Sequence, residues 1–267
     1  MDKEYERVRK KMMNPYLQEV TAMTRRWFIR FRREPISIIF GLTQPVLWLV
    51  LFGNMFQNAT AIPGVTAPSY IAFMTGGVVV MTVLNSGLAG GIEMLFDKEN
   101  GFLERLMAAP IKRSALIISR FLFVTVLTGF QALMILGMAF LFGVVPATGW
   151  LGVGLILVIG MMLGIGFTAI SLALAFSMKG HGGFFSLLGF ITLPLIFMSS
   201  ALVPLQSMPG WLSVIAQLNP MTYAIDAVRG LILTGWHIEL VKVLVILAVF
   251  DAVCLTWSNR ILLRGMR

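Results

Sequence analysis

Long apolar runs separated by short polar gaps dominate this chain. Six of them, at about 36–56, 69–92, 115–142, 150–176, 184–203 and 238–258, are nearly free of charge. Each reaches the roughly 20 residues that a helix needs to cross a hydrocarbon layer. The alternation of ten-residue strands that marks a membrane barrel is absent. The pattern therefore predicts an all-α polytopic membrane protein, one domain over residues 1–267 with six transmembrane helices. Residues 14–34 differ from the spans. Leu17, Val20, Trp27 and Phe31 recur at helical spacing among Arg25, Arg26, Arg30, Arg32 and Arg33, which predicts an amphipathic helix lying on the membrane and contacting anionic lipid, ended by Pro35.

Within the spans, Gln44-Pro45 predicts a kink in the first and places an amide where a substrate path or a packing contact would use it. The second carries Gly76-Gly77, Asn85-Ser86 and Gly87, suited either to close helix packing or to a cavity wall. The third and fourth, rich in Gly and Met, read as scaffold. No internal repeat is evident, which weighs against an inverted-repeat carrier.

Composition removes the soluble alternatives. Apolar residues make up 58% of the 267 and charged residues 12%, about half the charged share of soluble domains, and the mean hydropathy is +0.87. The first 35 residues lack the apolar core of a cleavable signal. One cysteine, Cys254, excludes a disulfide scaffold, and with only His181 and His237 beside it no metal site is expected. The net charge of +9 is distributed as membrane topology and not as a nucleic-acid groove. Ten of 21 Lys and Arg lie in residues 1–35, four in 93–114 and three after 258, whereas the gaps 57–68 and 143–149 hold none. Both termini and the charged gaps are accordingly predicted to be cytoplasmic, in a multi-pass protein of the cell membrane.

Two gaps carry more sequence information than a linker needs. Residues 93–120 contain a helix-like stretch, Asp97–Ala109, with Phe102 and Leu106 four apart, as are Leu103 and Met107, and with Glu99, Glu104 and Arg105 around that stripe. Pro110 ends it and Ser114 is placed to cap the next helix. Such a helix fits a groove on another protein or lies on lipid. Residues 194–235 contain Pro194, Pro204, Pro209 and Pro220, with Trp211 between them, too irregular for a straight span and too apolar for an exposed loop. They predict a re-entrant helical hairpin at 204–234 on the outer side, a gate or a static plug. Asn219 caps its second helix with Pro220 in the first turn, and Asp226 and Arg229 are spaced to pair.

ENGFLERLMAAPIKRSALIISR resembles the cytoplasmic segment of type-2 ABC transporter permeases, and LPLIFMSSALVPLQSMPGWLSVIAQLNPMTYAIDAVRG resembles their C-terminal motif. The likeness covers nearly the whole chain and is nearest to the daunorubicin-resistance and nodulation-factor export permeases. It implies a homodimer of permeases bound to two cytosolic ABC ATPase subunits, with ATP and Mg2+ held by those subunits. It also implies a coupling helix at 97–109, with Glu99, Gly101, Glu104 and Arg105 at the motif positions and Phe102, Leu103 and Leu106 seated on the ATPase. Gln44, Asn85, Ser86, Ser199, Ser200, Pro204, Trp211, Asn219, Pro220 and Tyr223 are the candidates for a substrate path or outer gate.

The sequence contains no G-x-x-x-x-G-K-[ST] phosphate loop; Lys179-Gly180-His181-Gly182-Gly183 is glycine-rich but lacks the Lys-Ser/Thr pair. Energy must come from a partner or from an ion gradient. A gradient-driven secondary transporter, the alternative, would use an ionisable group inside a span, for which Asp251 is the candidate; a contact between helices is its other reading. A membrane enzyme would need convergent acids, bases or ligands, which the chain does not offer. Drugs, lipids, glycolipids, polysaccharides, heme and small peptides all remain open as substrates, with an apolar path lined by Met and Phe favouring amphipathic ones.

Overall fold

A computed structural model describes residues 14–55, 69–109, 111–178 and 180–265. The gap 57–68, Pro110 and Lys179, each invoked above, lie outside those residues, as do the basic residues before position 14.

Among the described residues there is helix and turn but no strand. The helices in chain order are α1 (Pro15–Arg33), α2 (Pro35–Met55), α3 (Tyr70–Ala89), α4 (Ile92–Glu99), α5 (Phe102–Ala108), α6 (Arg113–Leu141), α7 (Gly149–Ser177), α8 (His181–Phe197), α9 (Gly210–Leu218), α10 (Pro220–Leu233) and α11 (Glu239–Gly265). Helices thus occupy each of the six apolar runs. Four units are long and apolar enough to cross a membrane: Tyr70–Glu99, which joins α3 to α4, then Arg113–Leu141, Gly149–Ser177 and Glu239–Leu262. Helix α2 has 21 residues and α8 only 17, because α8 ends soon after Pro194 where the sequence pattern ran on to 203.

Helix α3 is the axis of the bundle. Of its 20 residues 16 are buried, and α2, α6, α7, α8 and α10 all pack on it. Helix α11 packs on α7 and α10, and α1 lies across α6. The outward faces stay apolar: Leu122, Val126 and Phe130 on α6, Phe190 and Phe197 on α8, and Val241, Val245 and Val249 on α11 are exposed. A surface like this is stable facing lipid and not water.

Glycines let α3 sit so deep. A Cβ on Gly77 would stand 2.5 Å from the Ala201 carbonyl oxygen, and one on Gly76 would stand 3.2 Å from the Arg229 backbone. One on Gly87 would press on Phe167 and the Gly164 carbonyl. These small residues therefore serve packing within one chain. Gly91 is closed off by the backbone and hydroxyl of Ser171. By contrast Gly137, on the exposed face of α6, has nothing within 4 Å of its Cβ position.

Replacing Gly91 with Ala is expected to destabilise the fold by about 1–3 kcal/mol, the range for overpacking a rigid site. Gly137→Ala should stabilise by about 0.5–1 kcal/mol through helix propensity alone. Thermal unfolding of the purified variants in detergent measures both; equal melting temperatures would contradict the packing described.

Candidate functional site

The segment between α3 and α6 is two short helices. The chain leaves α4 at Asn100, passes through Gly101 in the left-handed region (φ 67°), and enters α5. A single helix over 97–109 is therefore not formed. Only glycine adopts that conformation without steric cost, which is why the break falls there. Ser114 does not cap α6 either; Lys112 occupies the cap position, and its backbone N–H donates to Glu19 of α1 at 3.0 Å.

Helix α4 carries four charged side chains that reach three other helices. The Nη2 of Arg26 donates to both oxygens of Asp97, at 2.9 and 2.8 Å, and Arg30 reaches Asp97 at 3.5 Å and Glu93 at 2.8 Å. Lys98 donates to the Phe176 and Met178 carbonyls at the end of α7, at 3.2 and 3.1 Å. Glu99 accepts from the His181 backbone N–H at 2.8 Å and lies 3.0 Å from its ring Nδ1, at the start of α8. Arg26 and Arg30 consequently turn into the protein, whereas Arg25, Arg32 and Arg33 stay exposed and able to meet lipid head groups.

The apolar stripe of α5 also faces inward. Leu103 is buried in a cluster with Trp27, Met94, Leu116, Phe123 and Phe176, and Leu106 packs against its edge. Phe102 lies under the Arg26 guanidinium, 4.2 Å from ring centroid to carbon. The expectation that Phe102, Leu103 and Leu106 form the face seated on a partner is thus corrected. A stripe of three residues is covered first by the nearest apolar surface, here the protein's own. The outward face consists of Glu104, Arg105, Met107 and Ala108.

At the same end of the bundle, α1, α2, α3, α4 and α6 line an open cavity of about 320 Å³. Gln44, Asn85 and Ser86 line it, together with Thr82 and Gln131 and the charged side chains of Arg30, Glu34, Glu93 and Arg120. Ser86 donates to the Oε1 of Gln131. Arg120 and Gln131 contradict the reading of span three as plain scaffold. They are eleven residues apart, three turns, and so share one face of α6; that spacing was the available signal.

The gate candidates at 199–223 sit around the other end of α3. Ser199 donates to the Ile196 carbonyl at 2.7 Å and Ser200 to Asp226 at 2.7 Å. Asn219 accepts from the Met221 N–H at 3.0 Å, capping α10 above Pro220, and its amide nitrogen donates to the Leu195 and Met198 carbonyls, both at 2.8 Å. Arg229 is 3.4 Å from Asp226, donates to the Phe73 and Ser200 carbonyls at 3.2 and 2.9 Å, and lies 3.6 Å over the Phe73 ring. Pro204 is buried, Tyr223 half-buried and Trp211 exposed. The structure does not bring this group together with Asn85 and Ser86. Gly77 meets Ala201 eight residues up the helix from Asn85, about 12 Å at 1.5 Å per residue.

Asp251 is buried on α11, where a Cβ on Gly166 of α7 would lie 2.7 Å from its Oδ1. It does not line the large cavity. No group of three His, Cys, Asp or Glu converges among the described residues.

Residues 18–233 match the family model described as ABC-2 type transporter. The chain is 38% identical to the transport permease ycf38 of Porphyra purpurea, over 80% of this chain and 73% of that one. It is 26% identical to the doxorubicin resistance ABC transporter permease protein DrrC of Mycobacterium tuberculosis, over 82% and 79%. It is 25% identical to the daunorubicin resistance permease protein DrrB1 of Streptomyces coeruleorubidus, over 79% and 74%.

The Arg26–Asp97 pair should be energetically real, because the Asp97 side chain is only 7% exposed. A double-mutant cycle of Arg26→Ala and Asp97→Ala is expected to return a coupling of about 1–3 kcal/mol. Additive losses in thermal stability would show that α1 and α4 are held by apolar packing alone.

Proposed function

Because the chain belongs to the ABC-2 type transporter family, we propose that it is the membrane subunit of an ATP-driven exporter, powered by two separate cytosolic ATPase subunits. It is a permease; ATP and Mg2+ belong to the partner. In this reading α2, α3, α6, α7, α8 and α11 are the six spans. The termini and the α4–α5 segment are cytoplasmic, on the side where 19 of the 21 Lys and Arg fall. The residues 204–234 then dip into the outer leaflet. The cargo is an amphipathic drug, lipid or glycolipid. Two chains form the path as a homodimer, for which α8 offers an uncovered apolar face: it buries only Phe184 and Leu188.

One observation carries the coupling role. Helix α4 is bonded through its own charges to α1, α7 and α8, so a push on α5 from the cytosol reaches three helices as well as α3. The contact surface is Glu104, Arg105 and Met107, whose charges set orientation and specificity more than affinity.

ATPase stimulation tests this directly. The doubly reversed variant Glu104→Lys, Arg105→Glu is expected to lower permease-stimulated ATP hydrolysis about tenfold, since like charges opposed across an interface cost several kcal/mol. Its melting temperature should not change. Leu103→Asp should instead lose the folded state, because it buries an unpaired charge in the protein's own core. Unchanged stimulation by the charge-reversed variant would remove α5 from the interface.

Topology is tested by single cysteines in a Cys254→Ser background. Gln206→Cys is expected to react with an impermeant maleimide on intact cells, and Glu104→Cys only after permeabilisation. The reverse pattern would overturn the orientation.

A further inference from the structure

Three side-chain amides meet at the large cavity with hydrogen-bonding capacity left over. Gln44 of α2 and Asn85 of α3 bond to no other group among the described residues. Gln131 of α6 uses its Oε1 to accept from Ser86, and its amide nitrogen finds no acceptor among the described residues. An amide carries two N–H donors and an accepting oxygen, and leaving them unmet at the level of an apolar layer is costly. The charges on the same wall, by contrast, are already matched. Arg30 and Arg120 stand against Glu34 and Glu93. Arg30 pairs with Glu34 at 3.5 Å and with Glu93 at 2.8 Å. Arg120 donates to the Gly90 carbonyl at 2.7 Å, and Glu93 and Asp97 counter its charge. An ionic ligand would give up its hydration here without meeting a net opposite charge. A neutral group that both donates and accepts would complete the amides.

The shape extends this reading from a head group to a chain. Phe31 and Leu127, both half-buried, give the cavity apolar surface beside the amides. A narrower crevice of about 30 Å³ adjoins it, sharing Gln44, Pro45, Thr82 and Asn85 and continuing to Trp48, Val78, Met81 and Ile196. Along α3 the two together reach from Ala89 to Val78, about 16 Å at 1.5 Å per residue. The path is polar at its wide end and apolar at its narrow end, with the Gln44 and Asn85 amides between. At about 320 Å³ the wide end holds a small head group. We propose that this cavity binds an amphiphile with a neutral, hydroxyl-bearing head, a sugar or polyol, which Gln44, Asn85 and Gln131 read by hydrogen bonds. The inference rests on the export reading above and adds the head-group class to it. On that reading the cavity lies at the level of the inner leaflet, and two sources can fill it: the exported compound or a resident neutral glycolipid.

The test is photoaffinity labelling of the purified full-length chain in nanodiscs of phosphatidylcholine, without any ATPase. The probe is an alkyl glucoside with a diazirine on the chain next to its head group. Unlabelled alkyl glucoside, alkyl phosphate, alkyl trimethylammonium and alkyl phosphocholine of equal chain length compete with it. Saturable labelling of peptides from 41–48, 82–93 or 120–131 is expected. The glucoside should displace it at concentrations roughly tenfold or more below those of any charged competitor. The double variant Gln44→Leu, Asn85→Leu should weaken labelling about tenfold, the worth of two neutral hydrogen bonds. Its melting temperature should hold, because these amides bond to nothing within the protein; a merely structural role would lower it.

Labelling that does not saturate, equal displacement by a charged competitor, or full labelling of the double variant would overturn the proposal. If the double variant does not fold, the competitors on the unaltered chain still decide it. Vesicles containing the chain and its ATPase separate the two sources. Glucoside moved across the bilayer on adding ATP marks cargo, and glucoside that stays bound marks a resident lipid; either result supports the site. A chain that binds the glucoside in the cavity but never stimulates an ATPase would defeat the export reading and leave the site standing. A chain that exports the glucoside without labelling there would do the reverse.

Discussion

A carbonyl oxygen inside an apolar layer has no water to bond, so every break in a helix there needs a named partner. The break between α3 and α4 at Gly90-Gly91 is the place on which the rest of this structure turns. Ser171 of α7 donates to the Leu88 carbonyl and accepts from the Gly91 N–H at 2.9 Å, and Arg120 of α6 donates to the Gly90 carbonyl. Two neighbouring helices, α6 and α7, are thereby fixed to the joint between α3 and α4. That joint leads into α4, whose carboxylates hold the arginines of α1. It also fixes the Arg120 guanidinium against Trp27, giving the large cavity its charged wall.

Much of the architecture was legible as period and length. The apolar runs became helices, Asn219 and Pro220 began α10 as their residue types predict, and Asp226 paired with Arg229. What failed has a common cause. A run of residues reports that a face is apolar but not which surface covers it. Leu103 and Leu106 read as a docking stripe, yet Trp27 and Phe123 cover them, and these lie far away in sequence. Arg26 and Arg30 read as lipid contacts, although two carboxylates on α4 were within their reach. Ser199 and Ser200 shared one set of candidates with Asn85 and Ser86, and depth along α3 separates the two groups.

Helix α8 ended early for a reason that is local. Pro194 contributes no N–H to the ladder. The carbonyls of Leu195 and Met198, which the end of the helix leaves without partners, are taken by the Asn219 amide, so the helix stops where a side chain from another element is ready to finish it. The last six residues of the apolar run, 198–203, become the turn that leads toward α9. Arg229 ties α10 to α3 where Gly76 leaves room for its backbone. The arrangement is built from one chain's own residues throughout.

The left-handed residue at Gly101 has a mechanical consequence. Regular helix transmits twist because successive hydrogen bonds lock neighbouring turns. Here the ladder ends with Asn100 and Gly101 bonding back to Phe96 and Lys98, and a new one begins with Arg105 bonding to Gly101. No bond carries torsion across the joint. Compression still passes, through Leu103 pressed on Met94 and Phe102 pressed on Arg26. Whatever turns α5 about its own axis is filtered out, and only displacement toward the bundle arrives at α4.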